Sequence, residues 1–284
     1  MSADFLAQMA AGSRERVHAA QRACSDAALL ARALAAAPPP LLRRSPTGFD
    51  LITELKLRSP AAGQLRPAAE DVAGRVVVYA QAGAAAVSVL TEPSRFDGSM
   101  AHLEIAARAL APLRVPAMRK DFLVDPYQVS EARLAGAAGV LVILRMLPQA
   151  QIEALLERAH TLGMFVVLEA FDEHDIELLH GLLARSARPL TGLLAGVNCR
   201  DLTTLQVVPR RLEQLAPLLP TSMARVAESG VGSADDARRV AAAGYDLALV
   251  GSALMQAGDP LALANAMLRA GRAVRAAAVP GAAS

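Results

Sequence analysis

Eight short apolar runs, rich in β-branched residues, recur along this chain, and each stops at a polar or charged residue. They are Leu51 to Leu57, Ala85 to Thr91, Val115 to Arg119, Gly139 to Leu144, Met164 to Ala170, Leu194 to Asn198, Arg225 to Ser229 and Leu247 to Gly251. Between them lie Ala-, Leu- and Arg-rich stretches with helical spacing, such as Val72 to Ala82 and Asp235 to Ala243. Strands that alternate with helices imply repeated βαβ units, and these require a parallel sheet buried on both faces. Eight units in 284 residues fit a closed barrel, which takes ~250 residues. An open doubly wound sheet would want a glycine-rich turn after its first strand, and Ser59-Pro60-Ala61-Ala62-Gly63 is no such turn. The expected fold is therefore α/β, a (β/α)8 TIM barrel with an N-terminal helical extension.

The chain divides by pattern into an N-terminal helical extension over residues 1–48, a barrel over 49–277 and a small-residue tail over 278–284 that should fray. Phe5 to Ala36 is helix-forming and ends at Pro38-Pro39-Pro40, where a helix cannot continue. One or two helices across the bottom or side of the barrel are expected, acting as a stabilising flap. Leu261 to Ala277 reads as a last amphipathic helix.

Composition excludes several classes of function. Hydrophobic residues make up 54% of the chain, yet no run reaches the roughly 18 uninterrupted apolar residues of a membrane span. The formal net charge is +2, with arginines scattered among acids and no basic block, so nucleic acid is not an expected partner. Cys24 and Cys199 lack metal spacing and read as reduced thiols. The segment from Met1 to Gly12 lacks a basic start followed by an apolar core, so a cytoplasmic location is expected. His18, His102, His160, His174 and His180 fall on helical stretches without a carboxylate at ligand spacing. No metal or cofactor is expected.

The strand ends carry the chemistry. Residues two apart on a strand share a face, so Glu54 pairs in direction with Lys56, and Asn198 with Arg200. Lys120 ends the third strand, Glu169 the fifth, and Glu228 with Ser229 the seventh. The inward face at the C-terminal mouth of such a barrel is where reactions occur. Several carboxylates and two ammonium groups buried there are costly unless they pair or meet a ligand. Gly230 and Ser229 close the seventh strand, and Gly251 and Ser252 close the eighth before a helix. Backbone N–H groups at those two loops make a phosphate cradle, and glycine lets an oxyanion approach. Arg200 and Ser59 are candidate side-chain donors to the same anion. A small phosphorylated molecule is the expected partner.

These segments resemble the indole-3-glycerol phosphate synthase family. The likeness rests on Glu54-Leu55-Lys56 leading to Ser59-Pro60, on Ser88-Val89-Leu90-Thr91-Glu92 followed by Phe96, Gly98 and Ser99, and on Arg119-Lys120-Asp121-Phe122 running into Asp125-Pro126-Tyr127-Gln128. It continues through Gly196-Val197-Asn198 with Arg200-Asp201-Leu202, then Ala227-Glu228-Ser229-Gly230 and Leu249-Val250-Gly251-Ser252, nearly the full chain. It implies ring closure of 1-(2-carboxyphenylamino)-1-deoxyribulose 5-phosphate with release of carbon dioxide and water. It also implies Lys120 as the acid, Lys56 as holder of the substrate carboxylate and Glu54 or Glu169 as base or relay. Asn198 would then fix the hydroxyl or a neighbouring lysine, Glu228 with Ser229 would complete the polar ring, and Phe96, Phe122, Leu141 and Leu202 would wall the aromatic ring.

A monomer or weak homodimer is expected. Two other readings compete, a paralogue acting on a ring-substituted analogue and a catalytically silent barrel that binds a phosphorylated metabolite. Phosphoribosylanthranilate isomerase would need a cysteine on the first strand, where this chain has Glu54. Some positions depart from the family pattern. Ala170 and Phe171 stand where a valine and a histidine are usual, which would remove a polar contact, and Cys199 replaces asparagine or serine with its side chain expected to face away from the mouth. Ala61 and Ala62 replace a serine and a basic residue. Arg145 is unusual at the end of the fourth strand, where it is expected to pair with Glu169 or Asp172.

Overall fold

A computed structural model describes residues 2–67, 69–185, 191–202 and 204–277. The tail expected over 278–284 lies outside the described residues. The eight strands are β1 (Asp50–Leu55), β2 (Ala86–Leu90), β3 (Ala117–Lys120), β4 (Gly139–Ile143), β5 (Phe165–Ala170), β6 (Leu193–Asn198), β7 (Ala224–Glu228) and β8 (Leu247–Val250). All are parallel, and the sheet closes because β1 pairs with both neighbours, Ile52 in register with Ala86 on β2 and with Leu249 on β8. The fold is thus a (β/α)8 barrel. Among the described residues no helix is long and apolar enough to cross a membrane.

Alternation along each strand sets two layers. Ile52, Ala86, Met118, Leu141, Phe165, Val167, Leu194, Val226, Leu247 and Leu249 fill the barrel interior. Their neighbours, including Leu51, Val87, Val89, Val140, Val166, Leu168, Ala195 and Val250, pack outward against the helices. The interior floor fits a large ring against a missing side chain. A Cβ on Gly139 would lie 2.3 Å from the Phe165 ring. Following each inward register toward the C-terminal end leads from this apolar floor to Glu54, Lys120, Glu169, Asn198 and Glu228.

The motif Asp125-Pro126-Tyr127-Gln128 starts a helix over Pro126–Leu134. Asp125 accepts from the Tyr127 N–H at 2.8 Å while Gln128 accepts from the Asp125 N–H at 3.2 Å, a capping box. The last helix, Pro260–Ala277, lies against β1 so closely that a Cβ on Gly271 would sit 2.1 Å from the Phe49 ring. Arg272 on that helix donates to the Phe49 carbonyl at 3.0 Å and to Asp50 at 2.8 Å.

The N-terminal segment is two helices, α1 (Ser2–Ala23) and α2 (Asp26–Ala35), parted where Ser25 caps α2 by accepting from the Ala28 N–H. α2 lies on the side of the barrel, where Leu29 packs with Tyr127 and Asp26 pairs with Arg158. The expected placement at the bottom or side fails for α1, which reaches the mouth. Phe5 and Leu6 line the mouth cavity, Arg16 meets Asp121 at 2.9 Å, and Ser13 accepts from Gln128 at 2.8 Å. The reason is electrostatic as well as apolar. Asp121 is buried at the end of β3, and a buried carboxylate needs cations.

Candidate active site

Every residue nominated from the sequence lines one cavity at the C-terminal mouth: Glu54, Lys56, Lys120, Glu169, Asn198 and Glu228, then Ser59, Arg200, Ser229, Gly230, Gly251 and Ser252, then Phe96, Phe122, Leu141 and Leu202. Lys56 and Lys120 are therefore on one rim despite their separation in sequence.

The charges meet in two groups around the mouth. Lys56 Nζ donates to Glu54 Oε1 at 2.6 Å. Lys120 Nζ donates to Glu228 Oε2 at 2.9 Å and to Glu169 Oε1 at 3.4 Å. Asn198 Nδ2 donates to Glu169 Oε1 at 3.0 Å, and Asn198 Oδ1 accepts from Ser229 Oγ at 2.9 Å and from the Arg200 N–H at 3.0 Å. Glu54, Glu169 and Glu228 are all buried, whereas the two lysine side chains keep slight exposure toward the cavity. Glu228 Oε1 meets no hydrogen-bond partner among the described residues.

Two glycines make room for the carboxylates. A Cβ on Gly251 would stand 2.3 Å from Glu54 Oε1, and one on Gly196 would stand 2.3 Å from Glu228 Oε1. Gly251 was expected to admit an oxyanion to the backbone. The observed requirement at that position is clearance for Glu54. Gly230 does sit in the left-handed region, at φ 67°, directly after Ser229 at φ 64°.

Electrostatics separates the carboxylates. Burial opposes ionisation of Glu54, but Lys56 and Lys120 outweigh it and hold its pKa below the ordinary value. Burial and the neighbouring Glu169 push Glu228 up to about 8, against the pull of Lys120. For Lys120 itself, burial disfavours the charge, yet Glu228, Glu169 and Glu54 together raise its pKa. Lys120 is thus a firmly held cation, and Glu228 carries a proton over part of the neutral range.

The aromatic side of the cavity holds more residues than the sequence reading named. Phe5 meets Phe122 edge to face at 5.9 Å, and Phe96 tilts against Phe122 at 6.1 Å. Ile143 and Phe171 join Leu141 on the same wall. Phe171 was missed although its spacing from Glu169 places both inward. Phe5 carries no local signal, since its position depends on α1 crossing the mouth.

Arg145 pairs with Asp172, as expected, and with Asp175 at 2.8 Å, whereas the alternative partner Glu169 is held by Lys120 and Asn198. Its guanidinium stands 4.9 Å from the centroid of the Phe171 ring. Cys199 is buried in the outer core, away from the inward register, as alternation requires. Both cysteines are free. Among the described residues, no group of three or more His, Cys, Asp or Glu could hold a metal ion.

Comparison with known proteins agrees with this geometry. The family model for indole-3-glycerol phosphate synthase matches residues 6–267. The chain is 45% identical to an indole-3-glycerol phosphate synthase of Parafrankia sp. (strain EAN1pec) over 78% of each chain. It is 39% identical to one of Rhodococcus opacus (strain B4) over 89% of this chain and 91% of that one. Among solved structures, 3-hexulose-6-phosphate synthase from Salmonella typhimurium superimposes with a TM-score of 0.58 at 15% identity, covering 79% of this chain and 99% of that one, a likeness of fold alone.

Proposed function

Because the chain belongs to the indole-3-glycerol phosphate synthase family, a family of decarboxylating lyases in tryptophan biosynthesis, we propose that its mouth closes the indole ring. The substrate on this reading is 1-(2-carboxyphenylamino)-1-deoxyribulose 5-phosphate. The observation that carries it is Lys120 shared between Glu169 and Glu228 beside the separate Lys56–Glu54 pair, all facing one cavity with an aromatic wall.

In the first step the ring carbon bearing the carboxylate attacks the ribulose carbonyl, and the oxygen takes a proton as the carbon–carbon bond forms. Lys120 meets that oxygen. Its raised pKa keeps it cationic where negative charge develops, and such fixed charge in a water-poor site is the larger catalytic effect. Glu228 at 2.9 Å holds a proton near neutrality and can return one to Lys120. Loss of carbon dioxide restores the aromatic ring, with Lys56 holding the carboxylate until it departs. In the last step the hydroxyl leaves as water with a proton from Lys56, while a base removes the proton from the adjacent carbon. Glu169 takes that role on this reading, since Glu54 is tied to Lys56 at 2.6 Å whereas Lys120 reaches Glu169 only at 3.4 Å. Asn198 orients Glu169 through the 3.0 Å bond.

Ser229, Gly230, Gly251 and Ser252 hold the phosphate through backbone N–H groups, with Ser59 and Arg200 as side-chain donors. Phe96, Phe122, Leu141 and Leu202 hold the anthranilate ring. A cytoplasmic location fits two free thiols and a biosynthetic family. The protein works as a monomer or weak homodimer on this reading.

The test is direct: mixing purified protein with the substrate should give indole absorbance and fluorescence in step with carbon dioxide release. Binding without turnover would favour a silent barrel. Arg145 does not line the cavity, so it gives no support to a paralogue that recognises a ring substituent through that charge.

A further inference from the structure

Phe171 closes the aromatic side of the mouth directly beyond Glu169. The two residues share an inward register, and Phe171 is 2% exposed, clustered with Phe122, Leu141 and Ile143. Its position is fixed from behind. Asp175 Oδ2 accepts from the Phe171 N–H at 2.7 Å and from Arg145 Nε at 2.8 Å, and the Arg145 guanidinium covers the ring at 4.9 Å. Asp175 is itself buried. Swinging the ring aside would break a cation–π contact and disturb charge-assisted bonds that converge on one buried carboxylate. The ring is therefore a stiff boundary, whereas an unclamped side chain there would yield to a larger ligand.

We propose that Phe171 is a specificity-determining residue of the aromatic subsite, a rigid wall that rejects substituents on the substrate ring where it faces the β4–β5 side. Arg145 is a positioning residue that acts through Phe171. The inference rests on the ring-closure reading above and adds to it the reason the pocket accepts an unsubstituted ring. Exclusion by Phe171 replaces recognition by Arg145, whose charge lies behind the wall and is matched by Asp172 and Asp175.

The test compares kcat/KM for the unsubstituted substrate and its ring-methylated positional isomers. A methyl group that meets a stiff apolar wall changes kcat/KM by about 10- to 200-fold. The native protein should reject at least one isomer by tenfold or more. Phe171→Ala should reduce that discrimination at least tenfold, and Phe171→Leu should retain most of it. Arg145→Met should lower it in the same direction while kcat for the unsubstituted substrate changes little, and it carries the test alone if Phe171→Ala fails to fold. Equal acceptance of every isomer by the native protein would overturn the proposal, as would discrimination left unchanged in both variants. Native protein that forms no indole from the unsubstituted substrate would defeat the ring-closure reading instead, a separate result.

Discussion

Arg16 of α1 donates to Asp121 at 2.9 Å, and Asp121 directly follows Lys120 in the chain. The same carboxylate accepts from Thr91 at 2.8 Å and from Arg119 at 3.1 Å, and Phe5 on the same helix rests on Phe122. The N-terminal helix is therefore tied to both sides of the residue pair that presents the central lysine. Arg16→Ala should loosen α1. The pair is a third exposed on the arginine side, so its worth is about 1 kcal/mol and the expected fall in kcat/KM is roughly fivefold. Steady-state kinetics together with limited proteolysis within residues 2–23 would check it. Unchanged kinetics with faster cleavage would reduce α1 to a structural role.

Lys120→Met removes the proton donor while keeping the side chain's length. Turnover should fall by about 10²- to 10⁴-fold, with substrate affinity nearly intact. Glu228 and Glu169 lose their shared cation, so the melting temperature should also drop. Single-turnover kinetics at saturating substrate separates the two effects, and turnover within tenfold of the native protein would show the acid to be misassigned.

Arg200→Ala should raise KM and leave kcat within a few-fold, because its proposed partner is the phosphate, far from the reacting carbons. Competition by inorganic phosphate offers an independent reading, since the variant should be inhibited more weakly. A fall in kcat alone would remove Arg200 from the phosphate site.

Glu228 gives a pH dependence with a definite sign. Its pKa is raised to about 8 from an ordinary 4.5, because of burial and Glu169. Between those values the folded chain holds a proton that the unfolded chain has released. The associated stability is complete below 4.5 and is lost as pH rises through about 8. Lys120 does not contribute in this window, because it stays charged in both states. Glu228→Gln should flatten the decline, and melting temperatures at about pH 5 and about pH 9 would show it. A native and variant pair with parallel pH profiles would contradict the assignment.

Gly251→Ala should cost more activity than stability. The added Cβ meets Glu54 Oε1 at 2.3 Å, so the carboxylate must move and drag the Lys56 bond with it. Overpacking of this kind costs about 1–3 kcal/mol, small enough for the barrel to survive. Near-native kcat/KM in a well-folded variant would mean that Glu54 tolerates displacement.

The barrel was legible because period-two alternation and helical spacing are local properties, and strand limits such as Phe165–Ala170 follow from them. The charged groups were legible for the same reason, since Lys120 and Glu228 stand where apolar runs end and Glu54 shares a strand face with Lys56. What escaped depends on distant packing. The seat of Phe5 over the mouth needs α1 to cross it, and nothing near Phe5 encodes that crossing. The clearance that Gly196 and Gly251 give to carboxylates on neighbouring strands is a cross-strand fact that a linear reading cannot see. Phe171 follows Glu169 on the same face by alternation, whereas its clamp by Arg145 and Asp175 is a product of tertiary packing.

The closure of the sheet between β1 and β8 bears on how the protein is made. While the chain leaves the ribosome, Glu54 and Lys56 emerge nearly 200 residues before β8, the strand that must flank them on the other side. Between those two moments the nascent polymer carries an open seam and an unfinished reaction vessel, and catalytic competence waits for the strand that closes it.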